Sequence, residues 1–181
     1  MKYTYFRLVL AVLLFLGGWQ IVSAETNELM VRCVAFYNLE NVFDTIHDEG
    51  KNDYEYLPDG GMKWTSLKYT NKIQNMAYAI AQLGTDEDPR GAAIVGVSEV
   101  ENIGCLHDLC KELKEKHNRN YVPILLEGPD RRGIDVGLLY NPDMFKPVGQ
   151  PKGYELKAHY ADGGVVRSRL QLWVSGYMLD D

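Results

Sequence analysis

The chain has 181 residues and a formal net charge of −6, from 19 basic and 25 acidic side chains. Bulk charge does not draw an acidic chain toward phosphate backbones, so the composition argues against a dedicated nucleic-acid-binding protein. It does not exclude an enzyme whose site holds a cation, because a bound ion can dominate the local field.

The first 24 residues have the order of a secretory signal peptide. Lys2 and Arg7 are basic, residues 8–16 are wholly apolar, and Val22-Ser23-Ala24 is a small-residue cleavage site. A membrane anchor is the alternative, but the apolar run is well short of the ~20 residues that span a bilayer. We therefore expect cleavage after Ala24, a domain over residues 25–181 and a secreted or periplasmic product.

The first half of that domain reads as strand, loop, helix, strand and helix. Residues 30–38 are rich in β-branched and aromatic side chains and predict a strand, and 39–64 predict a long loop. Thr65 or Ser66 caps a helix that Gly84 stops, and the continuous apolar run 92–98 predicts a buried strand. A second helix then begins after an Asn cap, with its inner stripe at Ile103, Leu106, Leu109, Cys110 and Leu113.

The second half is predicted to consist of strands. Residues 121–126, 134–140 and 169–175 read as strands, with a loop-rich segment at 147–168. This order predicts a layered α/β fold, with a mixed sheet that carries helices on one face. Since the sequence ends just after a strand and a turn, we expect an incomplete domain with an uncovered sheet edge.

Two polar residues stand where predicted strands end. Asn38 ends the first strand and Glu99 ends the buried strand 92–98. Open sheets place their ligands at such strand ends, and carboxylate and amide oxygens are hard ligands suited to Mg²⁺. By themselves these residues are more often ordinary turn or solvated residues, so the pattern indicates a metal site only weakly.

Longer strings around these residues resemble the endonuclease/exonuclease/phosphatase family. They are VAFYNLENVFD at 34–44, VGVSEVEN at 95–102 and DRRGIDVGLLYNP at 130–142, in this order. SRLQLWVSG at 168–176 is similar to the family's following strand, with Arg169 at its usual arginine. The resemblance covers nearly all of residues 25–181 and is nearest to secreted bacterial members.

The resemblance implies roles for individual residues. Glu99 would be the catalytic carboxylate that holds a divalent metal, Mg²⁺ or Mn²⁺, and Asn38 would help to position the metal and the scissile phosphate. Arg132 would contact the phosphate of the substrate, in a string that also contains Asp135. Gly137 stands where the family usually has a small Ala. The implied fold is the N-terminal half of a four-layer α/β sandwich.

The resemblance also implies an incomplete set of catalytic groups. The family's Asp-x-Asn pair and its late Asp-His pair have no match here, and no role is predicted for the four histidines, His47, His107, His117 and His159. We therefore expect an inactive or incomplete phosphoester hydrolase, and whether the chain is an enzyme as it stands is left open. The alternatives are a non-catalytic metal- and phosphate-binding module, and half of an enzyme that a second chain completes. The substrate would be a phosphoester of nucleic acid, a phospholipid head group or a sugar phosphate.

Overall fold

The computed structural model of the protein describes residues 30–156, 158–166 and 168–180. The predicted signal peptide lies outside these residues. The elements, in chain order, are β1 (Val34–Val42), a 3₁₀ turn (Tyr54–Tyr56), α1 (Ser66–Ala81), β2 (Ile94–Val100), α2 (Ile103–His117), β3 (Val122–Leu125), β4 (Asp135–Tyr140), β5 (Phe145–Pro147), β6 (Lys152–Tyr154), β7 (Gln171–Trp173) and β8 (Gly176–Met178).

The first four strands form one mixed sheet in the order β1-β2-β4-β3. β1 and β2 are parallel because α1 carries the chain back between them, whereas β4 is antiparallel to both β2 and β3. The predicted α/β fold with a mixed sheet and two helices is therefore confirmed. Pro123 lies in β3, an edge strand of this sheet, where a residue without an N–H is tolerated.

Both predicted helix caps are present. The side chain of Thr65 accepts a hydrogen bond from the Lys68 amide, and that of Asn102 accepts one from the Cys105 amide. The predicted inner stripe of α2 was wrong at one residue, because Ile103 is exposed and Cys105 is buried instead. At 3.6 residues per turn, Ile103 lies about 90° around the helix from the centre of the buried stripe.

Two strand predictions need correction. β1 begins later than predicted and continues to Val42, because residues 39–42 still follow β2 after a change of register. Of the predicted strand 169–175 only β7 is present, and β8 begins just after that range, at Gly176. The chain changes partner there, since β7 pairs with β6 and β8 pairs with β5. β6 lies within the segment that was predicted to be loop-rich.

The main core lies between the helices and one face of the four-stranded sheet, and includes Val95, Val97, Leu106, Leu109 and Ile80. Cys105 and Cys110 are buried and, like Cys33, carry free thiols, as expected for small apolar side chains. The opposite face of β1 exposes Val34 and Phe36.

Within the described part of the chain, neither helix has the length and apolarity needed to cross a membrane.

Candidate functional site

Asn38 and Glu99 lie on adjacent strands, within β1 and β2 respectively. β1 and β2 run parallel, and the Cα of Asn38 is paired with that of Ser98, the residue before Glu99. Neighbouring strands lie ~4.8 Å apart, so the two side chains start from neighbouring positions on the backbone. The two predicted metal-binding residues therefore have neighbouring backbone positions on adjacent strands.

The backbone is strained at the edge of the sheet where β1 and β2 end. Glu40, Asn41 and Glu99 have positive φ angles of 54°, 62° and 64°. Glu99 forms a β-bulge against β4, because Ser98 and Val100 are paired with consecutive residues of that strand. A non-glycine residue in the left-handed region costs roughly 1–3 kcal/mol and is commonly found at functional sites. The strain therefore marks this edge as a candidate site on grounds independent of residue type.

The side chain of Asn38 is partly committed to the local turn. Its Oδ1 accepts a hydrogen bond from the Glu40 amide at 2.9 Å. An amide oxygen has two lone pairs and the Nδ2 group carries two donors, so Asn38 keeps one acceptor direction and its donors for a ligand. Asn38 itself is exposed to solvent. It does not end the first strand as predicted, because β1 continues to Val42, but it is the last residue paired with β2 before the register changes.

Glu99 has two basic neighbours from distant parts of the chain. Arg169 Nη2 lies 3.5 Å from Glu99 Oε1, and the two side chains are 30% and 22% exposed. Arg169 Nε is buried and has no hydrogen-bond partner among the described residues. Burial lowers the pKa of Lys72 on α1, while the carboxylates of Glu40 and Glu99 act in the opposite direction. The edge therefore combines acidic ligands with cations that can face an anion.

Arg132 lies on the loop that precedes β4. Its side chain is 44% exposed, and its Nε is 3.8 Å from Oδ1 of Asp130. The loop is fixed at two points, because Asn52 donates to the Arg131 carbonyl and Asp135 Oδ1 accepts from the Gly128 amide. Asp135 is buried, which raises its pKa to about 6. The loop thus presents the Arg132 guanidinium to solvent from a fixed base.

A comparison with sequence models of protein families matches residues 33–181 to the one described as the endonuclease/exonuclease/phosphatase family. The chain belongs to this family. The match runs through all four strings that carried the resemblance, so the predicted family is confirmed. A search of curated proteins found no match. The family as a whole acts on phosphoesters and generally uses divalent metal ions.

A second acidic cluster, which the sequence reasoning missed, surrounds Glu101 in this family member. Glu101 is 3% exposed, and its Oε2 accepts a hydrogen bond from the Asp44 amide at 2.7 Å. Its own amide donates to the Val42 carbonyl, and Asn102 Nδ2 donates to Asp44 Oδ2. These bonds tie the end of β2 to the loop after β1. The recurrence of Glu at 99 and 101 was the one signal in the sequence that could have suggested it.

One ligand atom each from Asp44, Glu101 and Cys105 lies within 4.8 Å of the others, which is a spacing that can hold a metal ion. The protonation of the groups opposes this use. Burial raises the pKa of Glu101 to about 8 and that of Cys105 to about 12. Burial therefore favours the protonated form of both groups, and a metal ion would have to displace these protons on binding. The cluster fits a buried hydrogen-bond network, whereas the hard oxygens of Glu99 and Asn38 fit Mg²⁺ or Mn²⁺.

Proposed function

We propose that the chain carries the metal- and phosphate-binding part of a divalent-metal-dependent phosphoester hydrolase. What supports the proposal is the contact of Arg169 with Glu99, on a strained bulge whose preceding residue, Ser98, is paired with Asn38. In this proposal Glu99 and Asn38 hold Mg²⁺ or Mn²⁺, which would polarise the phosphoryl group and lower the pKa of a bound water.

The remaining residues would bind and orient the substrate. Arg169 would turn from Glu99 toward a phosphate oxygen, because a guanidinium satisfies its donors better on a bound phosphate than at 3.5 Å from one carboxylate oxygen. Lys72, on whose pKa the charge of Glu99 acts, would add positive charge to the site. Arg132 would contact the substrate from the exposed loop. We propose a phosphoester of nucleic acid, a phospholipid head group or a sugar phosphate as the substrate.

The chain by itself would turn over little substrate. Its sequence contains no match to the family's Asp-x-Asn and Asp-His strings, so no matched group takes the proton of the attacking water. A positioned general base contributes ~10²–10⁴-fold to the rate. The alternatives of a non-catalytic binding module and of half an enzyme completed by a second chain both keep the same metal site.

The test is hydrolysis of bis(p-nitrophenyl) phosphate and plasmid DNA with Mg²⁺ or Mn²⁺, for the chain and for Glu99→Ala. We expect both proteins to stay near the background rate. Robust turnover that disappears in Glu99→Ala would support the metal site but overturn the expectation of low activity. Robust turnover that persists in Glu99→Ala would remove Glu99 from the mechanism.

We also propose that the product is secreted or periplasmic, because residues 1–24 have the features of a signal peptide. Sequencing the N-terminus of the exported protein checks this, with Glu25 as the expected first residue. Recovery of intact Met1 in a membrane fraction would contradict it.

A further inference from the structure

The ring of Tyr56 is held in a fixed position by two other aromatic side chains. It stacks on the buried Phe43 with ring centroids 4.0 Å apart and an interplanar angle of 14°. Trp64 meets it edge-on at 6.1 Å, and Trp64 Nε1 donates a hydrogen bond to the Phe43 carbonyl at 2.8 Å. Aromatic pairs in these geometries contribute roughly 0.5–1.5 kcal/mol beyond the area they bury. The ring is therefore placed before any ligand binds.

The 3₁₀ turn that carries Tyr56 is itself fixed by a buried carboxylate. Asp53 is almost fully buried, accepts a hydrogen bond from the Asp48 amide at 2.8 Å, and contacts Nδ1 of His47. The Tyr56 amide donates to the Asp53 carbonyl at 2.8 Å. The backbone of the turn and the ring of Tyr56 are thus both held in place by contacts that do not involve the hydroxyl.

The segment that carries Tyr56 lies beside two parts of the candidate site. The Asn52 amide donates to the Arg131 carbonyl at 2.7 Å, next to Arg132. Phe43, on which the Tyr56 ring stacks, follows Val42, whose Cα is paired with that of Val100, next to Glu99.

Burial is the main cause that raises the pKa of Tyr56, the carboxylates of Glu55 and Glu99 raise it further, and the Arg132 guanidinium lowers it. The group therefore keeps its proton at physiological pH and can act as a donor. Among the described residues it has no hydrogen-bond partner. The Tyr56 hydroxyl is thus a neutral hydrogen-bond donor on which the charges of Glu99 and Arg132 both act. Its O–H is available to a ligand.

We propose that Tyr56 is a further phosphate-binding residue, whose phenolic O–H donates a hydrogen bond to a non-bridging oxygen of the bound phosphoester. This inference rests on the proposed function, since it requires a phosphate held near Glu99. A neutral hydroxyl suits the place, because it binds an anion without drawing the carboxylate of Glu99 away from a metal ion. Its fixed ring also lowers the entropy cost of that hydrogen bond.

The test compares two tyrosines of the same turn. Tyr56→Phe keeps the stacked ring and removes only the hydroxyl. Tyr54→Phe is the matched control, because Tyr54 is exposed and stacks on His47. Binding of dimethyl phosphate to the full chain saturated with Mg²⁺ is followed by ³¹P NMR. We expect Tyr56→Phe to weaken binding about tenfold, which is typical of one lost hydrogen bond to a charged group, and Tyr54→Phe to leave it unchanged.

Two further measurements separate the possible failures. Urea unfolding should give Tyr56→Phe the midpoint of the wild type, and Mn²⁺ binding by EPR should be the same in both. Equal binding of dimethyl phosphate by wild type and Tyr56→Phe would overturn the inference and leave the proposed function standing. Equal losses in both variants would also overturn it, since the loop rather than the hydroxyl would then be responsible. A wild type that binds neither Mn²⁺ nor dimethyl phosphate would overturn the proposed function and the inference together.

Discussion

Two regions of the molecule, each built around a glutamate at the end of β2, use the same side chain in opposite ways. Glu99 is partly exposed on a bulge with positive φ, beside Arg169 and opposite the end of β1. Glu101 is almost fully buried, accepts a hydrogen bond from the Asp44 amide, and has a pKa raised to about 8 by burial. One glutamate is partly exposed at the candidate site, and the other is buried in a hydrogen-bond network.

The bulge is the reason for this difference. Residues two apart on a regular strand point to the same face, so Glu99 and Glu101 would share one environment if β2 continued without interruption. The extra residue at Glu99 changes the register against β4, and Glu101 follows after the strand has ended at Val100. The different environments of the two glutamates thus follow from the local backbone conformation, which the residue types alone do not reveal.

The largest expected effect is on metal binding, and it separates the two glutamates directly. Glu99→Gln should weaken Mn²⁺ binding by at least ~100-fold, because the proposed site takes its carboxylate from this residue. Glu101→Gln, the matched control two residues away, should change it less than about threefold, since an amide can keep the hydrogen bond from the Asp44 amide. EPR titration of free Mn²⁺ measures both. Comparable losses in the two variants would show that Glu101 also contributes to the ion site.

The next largest effect is on the free energy of unfolding, where Glu101 should matter more than Glu99. Glu101→Ala should cost about 2–4 kcal/mol in the free energy of unfolding, because it leaves a cavity and a buried Asp44 amide without an acceptor. Glu99→Ala should cost less than about 1 kcal/mol, or stabilise the fold, since it removes a partly exposed side chain from a strained position. Urea denaturation gives both values. A larger loss for Glu99→Ala than for Glu101→Ala would reverse the proposed division of roles.

Features that depend on neighbouring residues were predictable from the sequence, whereas features that depend on distant contacts were not. The caps at Thr65 and Asn102 and the buried strand before Glu99 were predictable because they depend on neighbouring residues. The positive φ at Glu99 was not, since no glycine marks it. Asn38 and Glu99 were selected by their expected position at strand ends and by the family resemblance, and β1 in fact continues past Asn38 to Val42.

The partners of the site depend on contacts that local patterns do not encode. Arg169 was identified only as the family's usual arginine, and its approach to Glu99 joins residues 70 positions apart in the sequence. The charge of Glu99 also acts on the pKa of Lys72 in α1 and on that of Tyr56, which lies in a segment that was predicted to be loop. The burial of Glu101 depends equally on the loop at Asp44 folding back over it.

The pH dependence of stability should sharpen the comparison further. The folded-state pKa of Glu101, about 8, lies above its ordinary value of 4.5. The folded protein therefore binds more protons than the unfolded one between these values, so this residue's stabilisation is complete below pH ~4.5 and is lost as pH rises through 8. Wild type should lose on the order of 3 kcal/mol relative to Glu101→Gln between pH 5 and pH 8. Parallel stability curves for the two proteins would mean that Glu101 does not titrate in this range.

The smallest expected effect is that of Arg132, which lies outside both glutamate regions. Arg132→Gln should weaken dimethyl phosphate binding only about threefold and leave Mn²⁺ binding unchanged. The guanidinium is 44% exposed, and its attraction to an anion is screened by solvent and salt.

Arg131→Gln is the matched control on the same loop, because it keeps the backbone bond from Asn52 to the Arg131 carbonyl. The threefold difference should disappear at about 1 M salt, where the Debye length is ~3 Å. A loss greater than about tenfold that resists salt would mean that Arg132 closes on the phosphate beside Glu99. No loss at low salt would remove Arg132 from the substrate site.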